Sequence, residues 1–394
     1  MKPLQPVTPA GERVLAACRR VAASLIEGAS ASDRDGQMCP ASFEALEGEG
    51  VLAAFVPEAL GGGGLSSVHD WTVLISEIAR HDASVAIASN MHLGVSRGMS
   101  LAYAMSGGGE APLKAIAAAQ MRICATATER GTDNLHPLTE AVADGDGWKI
   151  SGTKMFVTMS PIATHLAMNV RLRDDDGDFI ASTMVPINTP GIVQGEDWDA
   201  LGMRASGSQS IRFEGVKVPA GGVRKLSPWG EWSVPSLMNR ALANLPLVGA
   251  SLGIAEAACA EATALARSEG NERAGVHTLV AEAHMELELC RSVLSRAALN
   301  TDEFLQAHKT SPRSMDDAYL FMQNYQMAKS LVNGAAIRCV NKAMDIVGGR
   351  SFGNTHVLSR LYRDARAAPF MQPGSPADAR SFIGRVALGD HPVS

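Results

Sequence analysis

Residues 121–158, MRICATATERGTDNLHPLTEAVADGDGWKISGTKMFVT, decide the fold, because the hydrophobic period of the chain changes there. ICATATE and EAVADGDGWKISGTKMFVT are strand-like, with short alternations and β-branched side chains. Asp144-Gly145 supplies the turn chemistry between the strands they predict. The strand-like pattern continues downstream in THLAMNVRLR, FIASTMVPI and QSIRFEGVKVP, punctuated at Asp176-Gly177 and Thr189-Pro190-Gly191. A compact β domain is expected.

Outward from this stretch, both flanks read as helical. VLAACRRVAASLIEGA and WTVLISEIARHDASVAIASNMHLGV repeat apolar residues at helical spacing over residues 8–120. Pro57 and the run Gly61 to Gly64 interrupt them, and a turn explains that run better than a dinucleotide loop, since no clear strand precedes it. Helical spacing returns near Pro235 in segments 235–268, 274–308 and 313–347, punctuated by Pro312 and Gly348-Gly349. Three long helices and a shorter last one predict a four-helix bundle. The expected class is α+β: an N-terminal helical domain over 1–121, a central β-barrel-like domain over 122–234, and a C-terminal bundle over 235–394.

Composition narrows the function. The net charge of −6 comes with scattered Lys and Arg, which argues against a nucleic-acid surface. The start, MKPLQPVTPAGERV, lacks the apolar core of a secretory signal. The most apolar stretch, Ala241 to Ala266, carries Glu256 and Glu261 and reads as a buried helix rather than a membrane span. Cysteines at 18, 39, 124, 259, 290 and 339 form no CxxC pair, so neither a metal site nor a disulfide framework is indicated and a reducing cytoplasm is expected. His277 and His284 share a helix face by spacing, but no third ligand accompanies them.

Several short motifs, taken in order, resemble the acyl-CoA dehydrogenase superfamily across nearly the whole chain. Ala127-Thr128-Glu129-Arg130-Gly131-Thr132-Asp133 resembles a shortened form of that family's Thr-Glu-Pro-Gly flavin loop. Ser151 to Thr158 resembles its Gly-x-Lys-x-Trp-Ile-Thr strand, and Gly202-Met203-Arg204-Ala205-Ser206 with Ile211 to Pro219 resembles a further signature. Ile346-Val347-Gly348-Gly349 and Arg360-Leu361-Tyr362-Arg363-Asp364-Ala365-Arg366 are similar to the C-terminal segments. The resemblance implies a flavin, FAD or FMN, between the β domain and the bundle. Thr128, Thr132, Phe156, Thr158 and Gly349 are the implied cofactor residues, with Thr128 and Thr158 at the ring edge and Phe156 on its face. It also implies a homodimer or homotetramer, a small-molecule substrate such as an acyl thioester, and a flavin reductase or electron-transfer partner.

The departures from the family bear on the reaction. Desaturation of a thioester needs a carboxylate to remove a C–H proton. Gln372 stands at the usual place for that base, and Ala243 at the family's second place. Asn244 replaces an Arg that meets CoA, with Arg240 one turn earlier. The diphosphate loop, Arg267 to Gly275, is short and lacks its Phe, and Asp345 replaces a Gln. His92, read as following a helix from Asp82 to Met91, invites an acid–base role toward oxygen activated on a flavin, although a histidine bonded to backbone fits the same position. The second histidine of related monooxygenases is replaced by Met371, before Gln372-Pro373.

The favoured expectation is an oxygen-using monooxygenase or oxidase acting on a small molecule. An acyl-CoA dehydrogenase with a displaced base, or the base-less subunit of a mixed oligomer, is the first alternative. A non-catalytic descendant is the second.

Overall fold

The computed structural model describes residues 3–268, 275–309, 313–371 and 373–390. Six helices open the chain: α1 (Pro9–Arg20), α2 (Ala22–Asp35), α3 (Pro40–Gly48), α4 (Val68–His81), α5 (Ala83–Ser106) and α6 (Glu110–Ala117). Asp82 separates α4 from α5, because its carboxylate accepts the Ser84 and Val85 amides at 2.8 and 3.1 Å and so caps the second helix. The helix then runs to Ser106 and ends at Gly107, well past Met91, where the sequence reading ends it. The run Gly61 to Gly64 is a tight turn, in which a Cβ on Gly62 would lie 2.2 Å from the Val56 carbonyl oxygen.

Eight strands follow: β1 (Ile123–Thr126), β2 (Glu140–Asp144), β3 (Gly147–Val157), β4 (His165–Asp174), β5 (Gly177–Pro186), β6 (Ile192–Gln194), β7 (Gln209–Val218) and β8 (Val223–Pro228). They form one sheet in the order β6-β7-β3-β2-β4-β5-β8, with β1 added parallel to β4. Alternate residues of β4 are buried, as expected of a sheet with one face on the core. The sequence reading does not separate β6 and β8. The first is three residues long and the second is largely exposed, so neither carries a strong alternation.

The helices of the C-terminal part are α7 (Val234–Asn244), α8 (Gly249–Ser268), α9 (Val276–Ala307), α10 (Met315–Val347), α11 (Val357–Ala367) and α12 (Pro376–Ala387). The expected single helix over 235–268 is broken at Pro246, which lacks the amide proton a continuing helix needs. After this break α7 packs mainly on α10, while α8 packs on α4, α10 and α9. Gly249 and Gly253 let α8 meet α4 backbone to backbone: Cβ atoms there would lie 2.6 Å from the Thr72 oxygen and 2.2 Å from the Ser76 oxygen. The N-terminal helices and the bundle therefore share one core, with Trp71, Ile75, Leu252 and Ala255 all buried in it.

Candidate active site

The loop after β1 is tied to the end of β3 by a closed set of bonds. Thr126 Oγ1 donates to the Met155 oxygen at 2.9 Å, and the Met155 amide donates to the Thr128 oxygen at 2.9 Å. Past this point the backbone is strained. Phe156, Met159 and Met203 have φ of 53°, 75° and 54°, a region that side-chain-bearing residues rarely adopt. The turn leaves Phe156 53% exposed, with the edge of Trp198 against it at 5.9 Å between ring centroids. Beside it runs a row of hydroxyls: Thr158 Oγ1 meets Ser208 Oγ at 2.9 Å, which meets Ser206 Oγ at 2.7 Å.

An exposed aromatic face next to hydroxyls and a short polar loop suits a planar heteroaromatic ring, which needs an apolar wall and polar partners at its edge. The structure thus brings Thr128, Phe156 and Thr158 together. Thr132 lies on the same loop but turns its hydroxyl onto the His136 oxygen at 2.6 Å. Gly349 is apart from this group within the chain, exposed after α10 with nothing near its Cβ direction.

Glu129 and Lys154 form an ion pair beneath the loop, with Lys154 fully buried. Glu129 also accepts the Leu138 amide at 2.6 Å and the Thr139 amide at 3.1 Å. Burial pulls the Lys154 pKa down while the Glu129 charge opposes that fall. This carboxylate is committed to holding the 129–139 loop, which is a structural task.

The second wall is helical. With its side-chain amide turned so that each atom meets a complementary partner, Asn134 donates to the Ala127 oxygen at 2.9 Å and accepts from the Arg240 guanidinium, linking the β1 loop to α7. Arg240 also lies over the Trp232 ring, 5.2 Å from its centroid. Behind it, Asn244, Leu247, Val248, Tyr325, Lys329, Asn333, Ala368 and Met371 enclose a cavity of ≈ 10 Å³, about the room one water molecule needs. Burial pushes Arg240 down to about 10 and Lys329 down to about 8, while it raises Tyr325. Both cations keep their charge at neutral pH.

No carboxylate is among the described residues lining this cavity. Ala243 offers only its carbonyl, which accepts from Asn90 Nδ2 at 3.0 Å, and Asn244 folds back to donate to the Arg240 oxygen at 2.7 Å. Asp378 is exposed and caps α12, accepting the Ser375 amide at 2.9 Å. Gln372 lies outside the described residues, as does most of the expected diphosphate loop.

His92 is corrected by its surroundings. It is 1% exposed in the middle of α5, with Nε2 3.0 Å from the Leu52 oxygen and Nδ1 accepting the Ile123 amide at 3.1 Å. Accepting at Nδ1 fixes the neutral tautomer, and burial pushes the pKa down to about 4. With both nitrogens bound to backbone, His92 ties α5 to β1 and has no free atom for acid–base work.

Other motif residues prove to be the seam between domains. A Cβ on Gly202 would lie 2.1 Å from the Arg363 oxygen, so β domain and α11 meet backbone to backbone. The Met203 amide donates to Asp364 at 2.6 Å, Arg204 donates to the Asp33 oxygen at 2.8 Å, and Arg363 pairs with Asp33. Burial raises Asp364 to about 7. Sequence reasoning missed Tyr325, Lys329 and Asn333, although their helical spacing on the apolar face of α10 was a usable signal.

Comparison with known proteins agrees with this architecture. Residues 8–126, 123–216 and 245–371 match the N-terminal, middle and C-terminal domains of acyl-CoA dehydrogenase. L-evernosamine nitrososynthase of Micromonospora sp. is 34% identical over 98% of this chain and 92% of its own length. The amino sugar nitrososynthase DnmZ of Streptomyces peucetius is 33% identical over 98% and 95%. The structure of KijD3 in complex with FMN and dTDP-3-amino-2,3,6-trideoxy-4-keto-3-methyl-D-glucose superposes with a TM-score of 0.91 at 32% identity, covering 99% of this chain and 96% of that one. Matched domain by domain and related end to end to such proteins, the chain belongs to the acyl-CoA dehydrogenase family and is a flavin-dependent oxidoreductase.

Proposed function

We propose that the protein oxidises the amino group of a nucleotide-linked amino sugar, with reduced flavin and molecular oxygen as co-reactants. The wall formed by Asn244, Tyr325, Lys329, Asn333 and Met371 carries this reading: among the described residues it holds one cation, two amides and a phenol but no carboxylate to take a C–H proton. A free amine needs no such base, because its nitrogen lone pair is itself the nucleophile. The end-to-end likeness to proteins named as amino sugar nitrososynthases supports an amine substrate, and the dTDP-sugar in the KijD3 complex supports a nucleotide carrier.

The residues fit the cofactor. Phe156 offers an exposed ring, and Thr158, backed by the buried Ser208 and Ser206 hydroxyls, offers the polar edge. FMN is the preferred form, being the flavin in the KijD3 complex. When bound and reduced, the flavin supplies the electrons for oxygen activation. The overall chemistry balances in two rounds. First, R–NH2, O2, two electrons and two protons give R–NHOH and water. Then R–NHOH, O2, two electrons and two protons give R–N=O and two waters. The chain's own part is to position the ring and sugar and to keep bulk water out.

An exposed apolar stripe on α10, Leu320, Met327 and Leu331, with Met285 on α9, supports self-association through the bundle. A separate reductase is the fitting source of reduced flavin. The test is incubation with a flavin reductase, FMN and a dTDP-amino sugar under labelled oxygen. The expected product has gained one labelled oxygen and lost two hydrogens. Desaturation of acyl thioesters with no product from any amino sugar would refute the proposal.

A further inference from the structure

Lys329 sits on α10 at 3% exposure with no carboxylate bonded to it among the described residues; the exposed Asp378 acts on its charge only across space. Its ammonium donates instead to three main-chain oxygens, those of Met371, Pro373 (3.1 Å) and Gly374 (2.7 Å). Gln326, one turn earlier, adds a bond from Nε2 to the Pro373 oxygen at 3.2 Å. An ammonium has three donors, so all are consumed and none is left for a ligand. The carbonyls replace its lost hydration, which is what lets a charge stand in this wall. Met371, at the start of the chain so held, lines the cavity together with Asn244 and Tyr325.

We propose that Lys329 is a positioning residue for the oxidation: by fastening the main chain of Met371, Pro373 and Gly374 to α10 it keeps Met371 in place as the wall that bars water from the reacting centre. This rests on the amine-oxidation reading. It extends that reading by assigning the coupling of oxygen use to product formation, rather than the chemistry itself, to one buried cation. Without the tripod of bonds the segment lifts, water enters, and activated oxygen is lost as hydrogen peroxide.

The test compares wild type with Lys329→Met, which keeps the stem and removes every donor, and Lys329→Gln, which keeps an amide's two. Product and hydrogen peroxide are measured per reduced FMN consumed. Backbone hydrogen exchange of a peptide spanning 371–374 is followed without substrate. The expected result is a graded rise in the peroxide share, smallest in wild type and largest in Lys329→Met. With it come a fall in kcat of about tenfold or more, a much smaller change in KM, unchanged FMN affinity, and faster exchange confined to that peptide. A residue of merely structural importance would lower melting temperature and FMN binding together and leave the product-to-peroxide ratio of the folded fraction unchanged. That outcome overturns the proposal, as does unchanged exchange in the peptide. If Lys329→Met fails to fold, Lys329→Gln carries the same comparison. Wild type that oxidises no amino sugar overturns the functional reading instead, while the exchange measurement still decides whether Lys329 holds the segment.

Discussion

The two walls of the site are built on opposite plans. The β-domain edge is strained and open: Phe156 sits at φ 53° with half of its surface exposed. The helical wall is packed and internally bonded: Lys329 has every donor satisfied, and the cavity beside it has room for about one water. A surface that must receive a flat ring has to leave an aromatic face bare before the ring arrives. A wall that must exclude water has to satisfy its polar groups internally. On the proposed reading, the difference separates binding from sealing.

The largest expected effect lies under the open wall. Glu129→Ala leaves the fully buried Lys154 unpaired and frees the Leu138 and Thr139 amides, and should cost about 3–5 kcal/mol in denaturant unfolding. A loss near zero would show that the loop does not depend on this pair.

Next comes the seam joining both walls. Asp364 is raised from 3.8 to about 7, chiefly by burial, so the folded state keeps a proton that the unfolded state releases. Stability should therefore fall as pH rises from about 4 to about 7, by at most about 1.4 kcal/mol per pH unit from this group. Asp364→Asn preserves an oxygen for the Met203 amide and should flatten that slope in unfolding curves taken across the window.

His92→Ala removes two buried hydrogen bonds between α5 and its neighbours, an expected loss of about 1–3 kcal/mol. The pH profile of kcat should keep its shape. A vanished ionisation would return His92 to an acid–base role.

Phe156→Gly gives the smallest stability change and the sharpest contrast. Relief of the left-handed backbone offsets lost packing to within about 1 kcal/mol. Flavin binding, followed by titration of reduced FMN, should nevertheless weaken clearly. Equal flavin affinity would remove Phe156 from the ring site.

The open wall was legible in the sequence because its parts are neighbours in the chain. Thr126 to Thr132 and Met155 to Thr158 are two short runs, each with its own strand and turn chemistry. The helical wall was not, since Asn134 meets Arg240, and Lys329 meets the Met371 oxygen, only after distant parts of the chain have packed. His92 shows the same limit from the other side. A histidine near the end of a predicted helix invites a chemical role, and only the Leu52 oxygen and Ile123 amide, from distant parts of the chain, reveal that both its nitrogens are taken.

Period and punctuation alone determined the α+β class and the order helices, sheet, helices, because helix and strand repeats are local properties of side-chain spacing. The ordered motifs also carried the family. Tertiary structure decided which motif residues touch a site and which join domains. Gly202, Met203 and Arg363 are seam residues because groups from distant segments meet them: the Arg363 main chain packs on Gly202, the Asp364 carboxylate accepts the Met203 amide, and the Asp33 carboxylate pairs with Arg363. A side chain's chemistry depends on which groups replace its water, and those groups come from segments far apart in the chain.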